Sequence, residues 1–506
     1  MSKQDQELMQ TKGIAPDLFL WQMERFQQGF PPIQLLRAPQ IGDGVLQYEE
    51  TEIDRLISLY ESKAEQLRIC KFVPASGAAS RMFKLLYAYL NGEGRTPAEN
   101  AQLELFFREI KQFAFYEDLV KVVDRNGQDL LRMLEAGQRK EILQFLLGKP
   151  GLNYGNLPKL LLRFHRYQGE LRTPAMEHMV EGAHYAKGKN RELILHFTVS
   201  AEHNTLVKAH LADLEIPYSG RYATSFTLQT SQQNPATDTI AVDSEGLPFR
   251  KEDGSLLFRP GGHGALLENL NQIEADLVFI KNVDNVVPDA HKAPTYRYKK
   301  LIAGVLCEAQ AQVFALLEEL DATQMLSPEL ETKALKLLAS LGIVPRSGWQ
   351  NKDSKQRKAY LYQKLNRPIR VCGIIATETN TGGGPFWVQE KGGDISLQIV
   401  ETAQINLSTA TQSAIAEASS FANITDLVCG LKDYQGKKFD LLQFRDDDTG
   451  FITQKSLNGR KLQALELPGL WNGAMADWHT ILVAVPKTTF SPVKSVMDLL
   501  SPEHRA

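Results

Sequence analysis

The fold is decided by one stretch of the sequence, Ile69-Cys70-Lys71-Phe72-Val73-Pro74-Ala75-Ser76-Gly77-Ala78-Ala79-Ser80-Arg81-Met82. Its apolar start, residues 69–73, predicts a buried strand, and the small residues after it predict a loop that leads into a helix. A strand, a small-residue loop and a helix in this order form the opening of a βα unit. The stretch therefore predicts an α/β protein.

The loop within this stretch is also a candidate phosphate site. Backbone N–H groups of small residues can approach phosphate oxygens, and the start of a helix adds positive potential. The candidates are Ser76, Gly77 and Ala78, with Arg81 as a cation that offers two donors to one anion. Small residues serve tight packing of a strand on a helix equally well, so this alternative stays open for the loop taken alone.

The composition indicates a soluble globular chain. Of 506 residues, 43% are hydrophobic and 23% are charged, and the formal net charge is −3. These fractions are ordinary for a domain with a large core. Because the net charge is near zero, nothing marks the whole surface for nucleic acid, and we expect no nucleic-acid partner.

Cysteine usage and hydropathy indicate the compartment. The four cysteines lie far apart and form no CxxC pair, which argues against a zinc site or a disulfide framework. The first thirty residues lack a signal-peptide pattern, and no uninterrupted apolar run approaches the roughly 18–20 residues of a spanning helix. We therefore expect a cytoplasmic protein with no membrane partner.

Short apolar runs alternate with helical patterns along most of the chain. The predicted strands are 69–73, 193–199, 224–228, 277–280, 369–376 and 481–485, and the predicted helices include 49–67, 296–320 and 328–341. Continuous apolar runs between helices are typical of parallel strands that are covered on both faces. We predict a doubly wound, mostly parallel α/β sheet with a helical insertion at about 85–156 and a C-terminal extension.

This pattern also suggests a domain organisation. An N-terminal helical segment, residues 1–68, precedes an α/β domain at residues 69–400 that contains the insertion. Residues 401–506 form a C-terminal part that completes the site.

Two elements that lie close together in the sequence carry the most specific chemistry. Three glycines surround a histidine in the loop 258–264, and the strand 277–280 leads directly to Asp284. Glycines permit a close approach of backbone to a ligand. An aspartate just beyond a strand lies where α/β sheets bind ligands, and its hard oxygen suits Mg²⁺. The alternatives are a loop histidine bonded to backbone and an aspartate that caps a turn or helix.

Several segments together resemble the sugar-nucleotide pyrophosphorylases, in particular uridylyltransferases of the UDP-glucose type. The matching segments are Ser80–Met82, Pro158–Lys159, Met176–His178, Pro260–Gly264, Asn282–Asn285, Val485–Lys487 and Phe490–Lys494. Two departures accompany them: Ala79 replaces the usual glycine, and helical sequence separates the first loop from Pro158. The resemblance implies a nucleotide-diphospho-sugar transferase-like fold.

The resemblance also implies roles for individual residues. Lys159 and Lys494 would neutralise phosphate charge together with Arg81, and Asp284 would bind Mg²⁺. Taken alone, Lys159 is more typical of a solvated lysine. The nucleotide would be held by the loop residues listed here: Gly262, His263, Gly264 and the first-loop residues Ser76, Gly77 and Ala78.

Further sites follow from the same resemblance. Gln232 is a candidate for the base, although Gln229 and Gln233 lie beside it, and all three could be exposed loop residues. Glu401 would border the sugar pocket. Independently of the resemblance, Asn472 and Trp471 are candidates for the acceptor pocket. Residues 446–448, three consecutive aspartates, are interpreted as a solvated turn because they cannot all face one ion.

The chain as a whole is similar to the domain-of-unknown-function family numbered 4301, a label that implies no established activity. We predict an Mg²⁺-dependent nucleotidyltransferase that joins a nucleoside triphosphate, with UTP as first candidate, to a sugar-1-phosphate-like acceptor and releases pyrophosphate. The alternatives are a protein that binds nucleotide sugars without turnover and a glycosyltransferase. The base, the sugar, the oligomeric state and the role of the insertion stay open.

Overall fold

The structure, a computed structural model, describes residues 2–77, 79–378, 383–457 and 459–505. The helices are α1 (Lys3–Lys12), α2 (Pro16–Gln28), α3 (Glu50–Ala64), α4 (Lys84–Leu90), α5 (Pro97–Arg108), α6 (Tyr116–Arg125), α7 (Leu130–Glu135), α8 (Arg139–Leu147), α9 (Pro174–Tyr185), α10 (Asn204–Tyr222), α11 (Leu267–Asn271), α12 (Ala293–Ala322), α13 (Pro328–Ser340), α14 (Ser354–Leu365) and α15 (Ala410–Glu417). The sequence-predicted helices correspond to α3, α12 and α13.

The strands fall mainly in the predicted places. They are β1 (Leu35–Arg37), β2 (Gln40–Ile41), β3 (Gly44–Leu46), β4 (Ile69–Pro74), β5 (His165–Tyr167), β6 (Glu170–Arg172), β7 (Glu192–Thr198), β8 (Ser225–Ser231), β9 (Thr239–Val242), β10 (Phe258–Arg259), β11 (Leu277–Lys281), β12 (Ile343–Val344), β13 (Ile369–Ala376), β14 (Gly384–Gln389), β15 (Ile395–Val400), β16 (Phe421–Gly430), β17 (Phe451–Leu457), β18 (Arg460–Glu466) and β19 (His479–Ala484). All six predicted strands are present, as β4, β7, β8, β11, β13 and β19.

The chain divides into two compact units. The first unit comprises Met1–Arg68, Gln233–Ile280 and Lys300–Val485, and the second comprises Ile69–Gln232, Lys281–Lys299 and Pro486–Ala506. Because each unit is assembled from three separate segments, long-range packing defines them.

The second unit is built on three parallel strands in the order β4-β7-β8. Each strand except the last is followed by helical chain, as the opening βα unit predicts. The predicted insertion is helical, with α4 to α8, and Thr96 caps α5 in a capping box with Glu99. The apolar core of the insertion includes Phe106, Phe113 and Leu143, and it also takes in Val493 and Val496 near the C-terminus.

The first unit contains strands β2-β3-β19-β13-β16-β11 in that order. Neighbours β2, β3, β19 and β13 are parallel, whereas β16 runs antiparallel to β13. Two further sheets, β1-β14-β15-β12 and β10-β9-β18-β17, are antiparallel. Mixed α/β architecture with mostly parallel main strands is confirmed. The antiparallel sheets escape the sequence pattern because polar residues such as Ser396 and Gln398 interrupt their apolar runs.

Helix α12 is apolar and unusually long. Among the described residues it is the one helix long and apolar enough to cross a membrane, with 30 residues and a mean hydropathy of 1.5 over its most apolar 18-residue window. Within its most apolar window, 61% is buried inside the protein. A core helix passes the same test, so this length and composition are weak evidence for a membrane span.

Candidate functional site

The Asp284 cluster consists of Lys159, Asp284 and Lys494, and it lies in the second unit. Asp284 follows β11 in a turn, and its Oδ2 accepts hydrogen bonds from Lys159 Nζ at 2.8 Å and from Lys494 Nζ at 3.3 Å. The Asp284 side chain is 8% exposed, whereas that of Lys494 is 62% exposed. Residues far apart in the sequence therefore converge on one carboxylate, and Lys494 keeps its contact with solvent.

Backbone contacts hold the Asp284 turn in place. Val493 N–H donates to the Asp284 carbonyl at 3.0 Å, and Lys159 Nζ donates to the Val493 carbonyl at 2.7 Å. From the other side, His178 Nε2 donates to the Val283 carbonyl at 3.1 Å. Burial, together with the charge of nearby Lys71, holds the pKa of His178 well below its ordinary value, so the ring is neutral. The turn is thus fixed on both sides.

A buried ionic network supports the same turn. Glu181 of α9 pairs with Lys71 of β4 at 3.0 Å and with Lys281 of β11 at 2.9 Å, and all three side chains are buried. Burial lowers the pKa of Lys71 to about 7, and the charge of Glu181 counteracts this only in part. Burial raises the pKa of Glu181, but Lys281 and Lys71 reverse the effect and bring it well below its ordinary value. The strands that lead to the Ser76 loop and to the Asp284 turn therefore share one buried counterion.

Sequence reasoning misses this network. One signal could have found it: Lys71 and Lys281 interrupt or end strands that are otherwise apolar and buried. A lysine at such a position needs a buried acid as its partner.

A second buried carboxylate lies on α9. Glu177 Oε1 bonds His165 Nδ1 and the Tyr167 hydroxyl, each at 2.9 Å, and Oε2 accepts from Lys292 Nζ at 2.6 Å. Burial raises the pKa of Glu177, but the His165 hydrogen bond and the Lys292 charge bring it below its ordinary value. The Glu-His motif of the sequence therefore anchors α9, through Glu177, and the Asp284 turn, through His178.

The Asp284 carboxylate fits a magnesium ion in part. Both lysines bond Oδ2, and no donor within the described ranges reaches Oδ1. Among the residues that the structure describes, no group of three or more histidines, cysteines, aspartates or glutamates could hold a metal. Mg²⁺ commonly takes only one or two carboxylates and completes its shell with water and substrate phosphates. Asp284 could therefore hold Mg²⁺ only together with a phosphate ligand.

The first loop stays open around its glycine. A Cβ added at Gly77 would meet no atom within 4 Å, and Arg81 is exposed. Ala75 N–H donates to the Thr198 carbonyl at 3.1 Å, which ties the loop entrance to β7. Ala78 lies outside the described residues, and no ion pair within them joins Arg81 to Asp284. The loop is accessible, but the structure does not bring Arg81 into the Asp284 cluster.

The His263 cluster consists of His263, Glu401, Trp471 and Asn472, and it lies in the first unit. Leu470 N–H donates to His263 Nδ1 at 2.9 Å, so we assign the ring proton to Nε2, which donates to Glu401 Oε1 at 3.1 Å. The imidazole stacks on the Trp471 ring with centroids 4.3 Å apart, and Asn472 Nδ2 donates to the same Glu401 oxygen. Both ring nitrogens of His263 are therefore used within the chain.

Buried Arg370 holds the Trp471 backbone of this cluster in place. Its guanidinium donates to the Trp471 carbonyl at 2.6 Å and to Thr480 Oγ1 at 2.9 Å. Glu401 is also fixed through its backbone, because its N–H donates to Gln404 Oε1 at 2.8 Å. The predicted sugar residues Glu401 and Asn472 are thus brought into contact with His263, which the sequence places in a different motif.

The glycines of the histidine loop pack against the chain itself. Gly262 has a φ of +78°, and a Cβ at Gly264 would lie 2.1 Å from the Pro468 carbonyl oxygen. The sequence predicts that the backbone at these glycines closely approaches a ligand. At Gly264, the structure shows a close approach to the backbone of Pro468 instead. Packing alone is therefore a sufficient reason for this glycine.

The three candidate glutamines have different surroundings. Gln229 and Gln232 are both exposed, and Gln233 is half-buried. Gln229 bonds His196 at 3.3 Å, and Gln233 bonds Thr237 at 3.2 Å. Exposure therefore does not distinguish Gln232 from Gln229.

The three aspartates pair with cations of the chain itself, and two of them share one lysine. Asp446 pairs with Lys391, Asp447 with Arg445, and Asp448 with both Lys391 and Arg25. The prediction that they form a turn and do not face one ion agrees with these contacts.

The model of the family described as "Domain of unknown function (DUF4301)" matches residues 2–505. The chain belongs to this family. The family resemblance predicted from the sequence is thereby confirmed. No curated protein sequence matches this DUF4301 chain.

Several solved structures resemble the DUF4301 chain. The uridine diphosphate N-acetylglucosamine pyrophosphorylase of Trypanosoma brucei, in complex with an inhibitor, is 11% identical, with 96% of this chain and 75% of that chain covered and a TM-score of 0.49. A mutant UDP-glucose pyrophosphorylase of Leishmania major, in complex with UDP-glucose, is 14% identical, with 98% and 78% covered and a TM-score of 0.41. UDP-glucose phosphorylase of Trypanosoma brucei is 14% identical, with 98% and 77% covered and a TM-score of 0.43. At these identities and TM-scores, nothing about what this chain binds or converts follows from the similarity.

Proposed function

We propose that the chain is a nucleotidyltransferase that joins a nucleoside triphosphate, with UTP as first candidate, to a sugar-1-phosphate-like acceptor and releases pyrophosphate. One observation carries the proposal: two lysine ammonium groups converge on the Asp284 carboxylate directly beyond a buried strand. Cations and a hard oxygen ligand at a strand end are the groups that phosphate chemistry requires.

The reaction needs little covalent help from the protein. An oxygen of the acceptor phosphate attacks the α-phosphorus in line, and the bond to the β-phosphate bridging oxygen breaks, with pyrophosphate as leaving group. Positioning and charge neutralisation supply most of the catalysis in such a displacement. Lys159 and Lys494 would turn from Asp284 toward phosphate oxygens, and Arg81 would add a third cation. A bound Mg²⁺, held by Asp284, would neutralise charge on the phosphates.

The His263 cluster would serve the nucleoside and the sugar. Because both ring nitrogens of His263 are bonded within the chain, we assign it to orienting Glu401 and not to moving a proton. Glu401 and Asn472 would bind the sugar, and Gln232 the base. The loop residues assigned to the nucleotide are Ser76, Gly77, Ala78, Gly262, His263 and Gly264.

We also propose the fold and domain organisation predicted from the sequence, with a doubly wound sheet and a C-terminal extension. The proposed domain limits are 1–68, 69–400 and 401–506, and the proposed location is the cytoplasm. Limited proteolysis and localisation of a tagged full-length chain test these points.

The substitution Asp284→Asn tests the proposed activity. The amide keeps the size of the side chain but removes the charge that pairs with both lysines and would hold Mg²⁺, so we expect pyrophosphate release to fall at least about a hundredfold. The measurement is a pyrophosphate-release assay with UTP, a panel of sugar-1-phosphates and Mg²⁺. Asp213→Asn, at an exposed position on α10, is the matched control.

Two results would contradict the proposal. Unchanged turnover in Asp284→Asn would refute the assignment of Asp284 as metal ligand. Absence of pyrophosphate release by the wild type with every nucleotide and acceptor would refute the proposed activity.

A protein that binds nucleotide sugars without turnover is the second candidate. It is favoured by one observation: both lysines that would bind phosphate are already paired with Asp284. Calorimetry with UTP, UDP-sugars and Mg²⁺ distinguishes the two, since binding without pyrophosphate release supports the binding protein.

A further inference from the structure

A cavity of about 340 Å³ lies in the second unit, and we name it the Arg125 cavity. It is lined by residues of α6, of α10 and of the segment 152–163, and its volume lies within the range of small-molecule sites. None of its lining residues belongs to the predicted nucleotide, sugar or metal site. Leu157 and Leu161 line it, whereas Lys159, which lies between them in the sequence, bonds Asp284 instead. The cavity is therefore separate from the Asp284 cluster.

The charged side chains of the lining are mostly cations. Lys121 and Arg125 lie one turn apart on α6, and Arg163 is the third cation. The single carboxylate of the lining, Asp118, pairs with Arg163 at 3.2 Å and with Lys121 at 3.6 Å. Three cations less one carboxylate give the lining a formal charge of +2, in a chain whose net charge is −3. Positive charge is therefore concentrated at this cavity.

Two guanidinium groups of the lining keep donors for a ligand. Arg125 is exposed, and no acceptor in the part of the chain that the structure describes bonds its guanidinium. Arg163 donates through Nε to Asp118 and through Nη1 to the Leu171 carbonyl at 2.9 Å, so its Nη2 has no acceptor within the described ranges. Because the planar fork of donors on a guanidinium matches phosphate oxygens, these groups favour an anion.

His210 adds a polar group to the lining without adding charge. Its Nε2 lies 3.1 Å from Thr173 Oγ1. Burial lowers the pKa of His210, and the charge of Arg163 lowers it further, while the charge of Asp213 opposes this only in part. The ring is therefore neutral, and the excess of positive charge comes from the lysine and the two arginines.

Most of the remaining lining is apolar. It consists of Val122, Leu152, Leu157, Leu161 and Leu206, together with the ring of Tyr154. Leu206 is 48% exposed, so an apolar group placed in the cavity would remove leucine surface from water. The cavity thus combines cationic donors with an apolar wall.

We propose that the Arg125 cavity binds a small phosphate monoester whose alcohol part is apolar. A phosphate monoester carries about −1.5 to −2 charges at neutral pH, which matches the excess of two positive charges. Arg125 and Arg163 donate to the phosphate oxygens, and the apolar part packs on the leucines. The acceptor of the proposed reaction is hydroxyl-rich and binds elsewhere. This binding does not require nucleotidyl transfer, so it stands or falls separately from the proposed activity.

Calorimetry with the full-length chain tests this proposal without nucleotide. The probes are phenyl phosphate, benzoate, which carries less charge, and inorganic phosphate, which lacks the apolar part. We expect phenyl phosphate to bind at least about tenfold more tightly than either of the other two. Absence of phenyl phosphate binding, or equal binding of benzoate or of inorganic phosphate, would overturn the proposal.

Two substitutions at exposed positions locate the binding. Arg125→Glu reverses one charge in the last turn of α6, and Leu206→Asp puts an acid into the apolar wall, in the first turn of α10 where an acid suits the helix. We expect each to weaken binding of phenyl phosphate at least about tenfold. Arg132→Glu, at an exposed position in the last turn of α7, is the matched control and should leave it unchanged.

Unchanged affinity in a folded Arg125→Glu protein would refute the location. If Arg125→Glu fails to fold by circular dichroism, Leu206→Asp decides in the same way.

Lys494→Met separates the Arg125 cavity from the proposed phosphate site. Because Lys494 belongs to the Asp284 cluster, we expect this variant to bind phenyl phosphate as the wild type does. A loss of at least about tenfold in Lys494→Met would place the phosphate at the Asp284 cluster and overturn the proposal. Absence of pyrophosphate release by the wild type would refute the proposed activity and leave these expected affinities as they are.

Discussion

The Asp284 cluster and the His263 cluster are held together by different forces. Asp284 is a nearly buried carboxylate between two ammonium groups, above the buried pairs of Glu181 with Lys71 and Lys281. His263 is held by one hydrogen bond from backbone, one to the Glu401 side chain and a ring stacked on Trp471, and it stays partly exposed. Charge interactions gain strength away from water, whereas stacking depends on shape. The first cluster should therefore respond to loss of charge and to pH, and the second to loss of shape and of single hydrogen bonds.

The largest expected effect comes from Glu181→Ala. It leaves Lys71 and Lys281 buried without their counterion, so we expect the free energy of unfolding to fall by about 3–5 kcal/mol. Urea denaturation followed by circular dichroism measures it. Glu202→Ala, at an exposed glutamate, is the control and should change little. A loss below about 1 kcal/mol would show that charge does not hold the second unit as described.

The second prediction concerns the pH dependence of stability, to which buried Lys71 of the charged network should contribute. The pKa of Lys71 is lowered from 10.5 to about 7 in the folded state by burial. Between these values the unfolded chain binds the proton and the folded chain does not, so stability rises with pH through this window. Lys71→Met removes this contribution.

The measurement is urea denaturation at pH 6 and at pH 9. We expect the stability of Lys71→Met relative to wild type to be more favourable at pH 6 than at pH 9 by more than about 1 kcal/mol. The same difference at both pH values would contradict the assigned titration. In His263→Phe, which changes the other cluster and leaves Lys71 in place, the free energy of unfolding should still rise from pH 6 to pH 9.

His263→Phe itself tests the role of shape. The phenyl ring keeps the stack on Trp471, but the Leu470 N–H loses its acceptor and Glu401 loses one donor. We expect a loss of about 1–2 kcal/mol in the free energy of unfolding. His291→Phe, at an exposed position, is the control. A loss as large as that of Glu181→Ala would mean that the two clusters do not differ in the way described.

The smallest effect is expected for Lys494→Met. Its side chain is mostly exposed, so its pair with Asp284 should contribute at most about 1 kcal/mol to stability. Lys159→Met should cost more, about 1–3 kcal/mol, because Lys159 is nearly buried and also donates to the Val493 carbonyl. Equal losses in thermal or urea denaturation would contradict the difference in burial between the two lysines.

Sequence reasoning predicts the main strands well, for a physical reason. A strand covered on both faces must be continuously apolar, and β4, β7, β11 and β13 have such runs. The strand-end position of Asp284 follows from the same pattern. The family resemblance alone predicts that Lys494, 210 residues away, belongs to the same site as Asp284, and their direct pairing is not predicted from the sequence.

Other features could not be predicted in this way. Glu181 looks like any polar position on a helix, because its partners lie on separate strands. The contact of Glu401 with His263 joins residues 138 positions apart.

The contact between Gly264 and Pro468 has a consequence for mutational screens. Any side chain at Gly264 would meet the Pro468 carbonyl oxygen, so a substitution there should lower the amount of intact protein in cells before it alters any reaction rate. A screen that scores growth alone would record the same position as a catalytic defect. Parallel measurement of protein abundance and of turnover per molecule separates the two, and at Gly264 the deficit should lie in abundance.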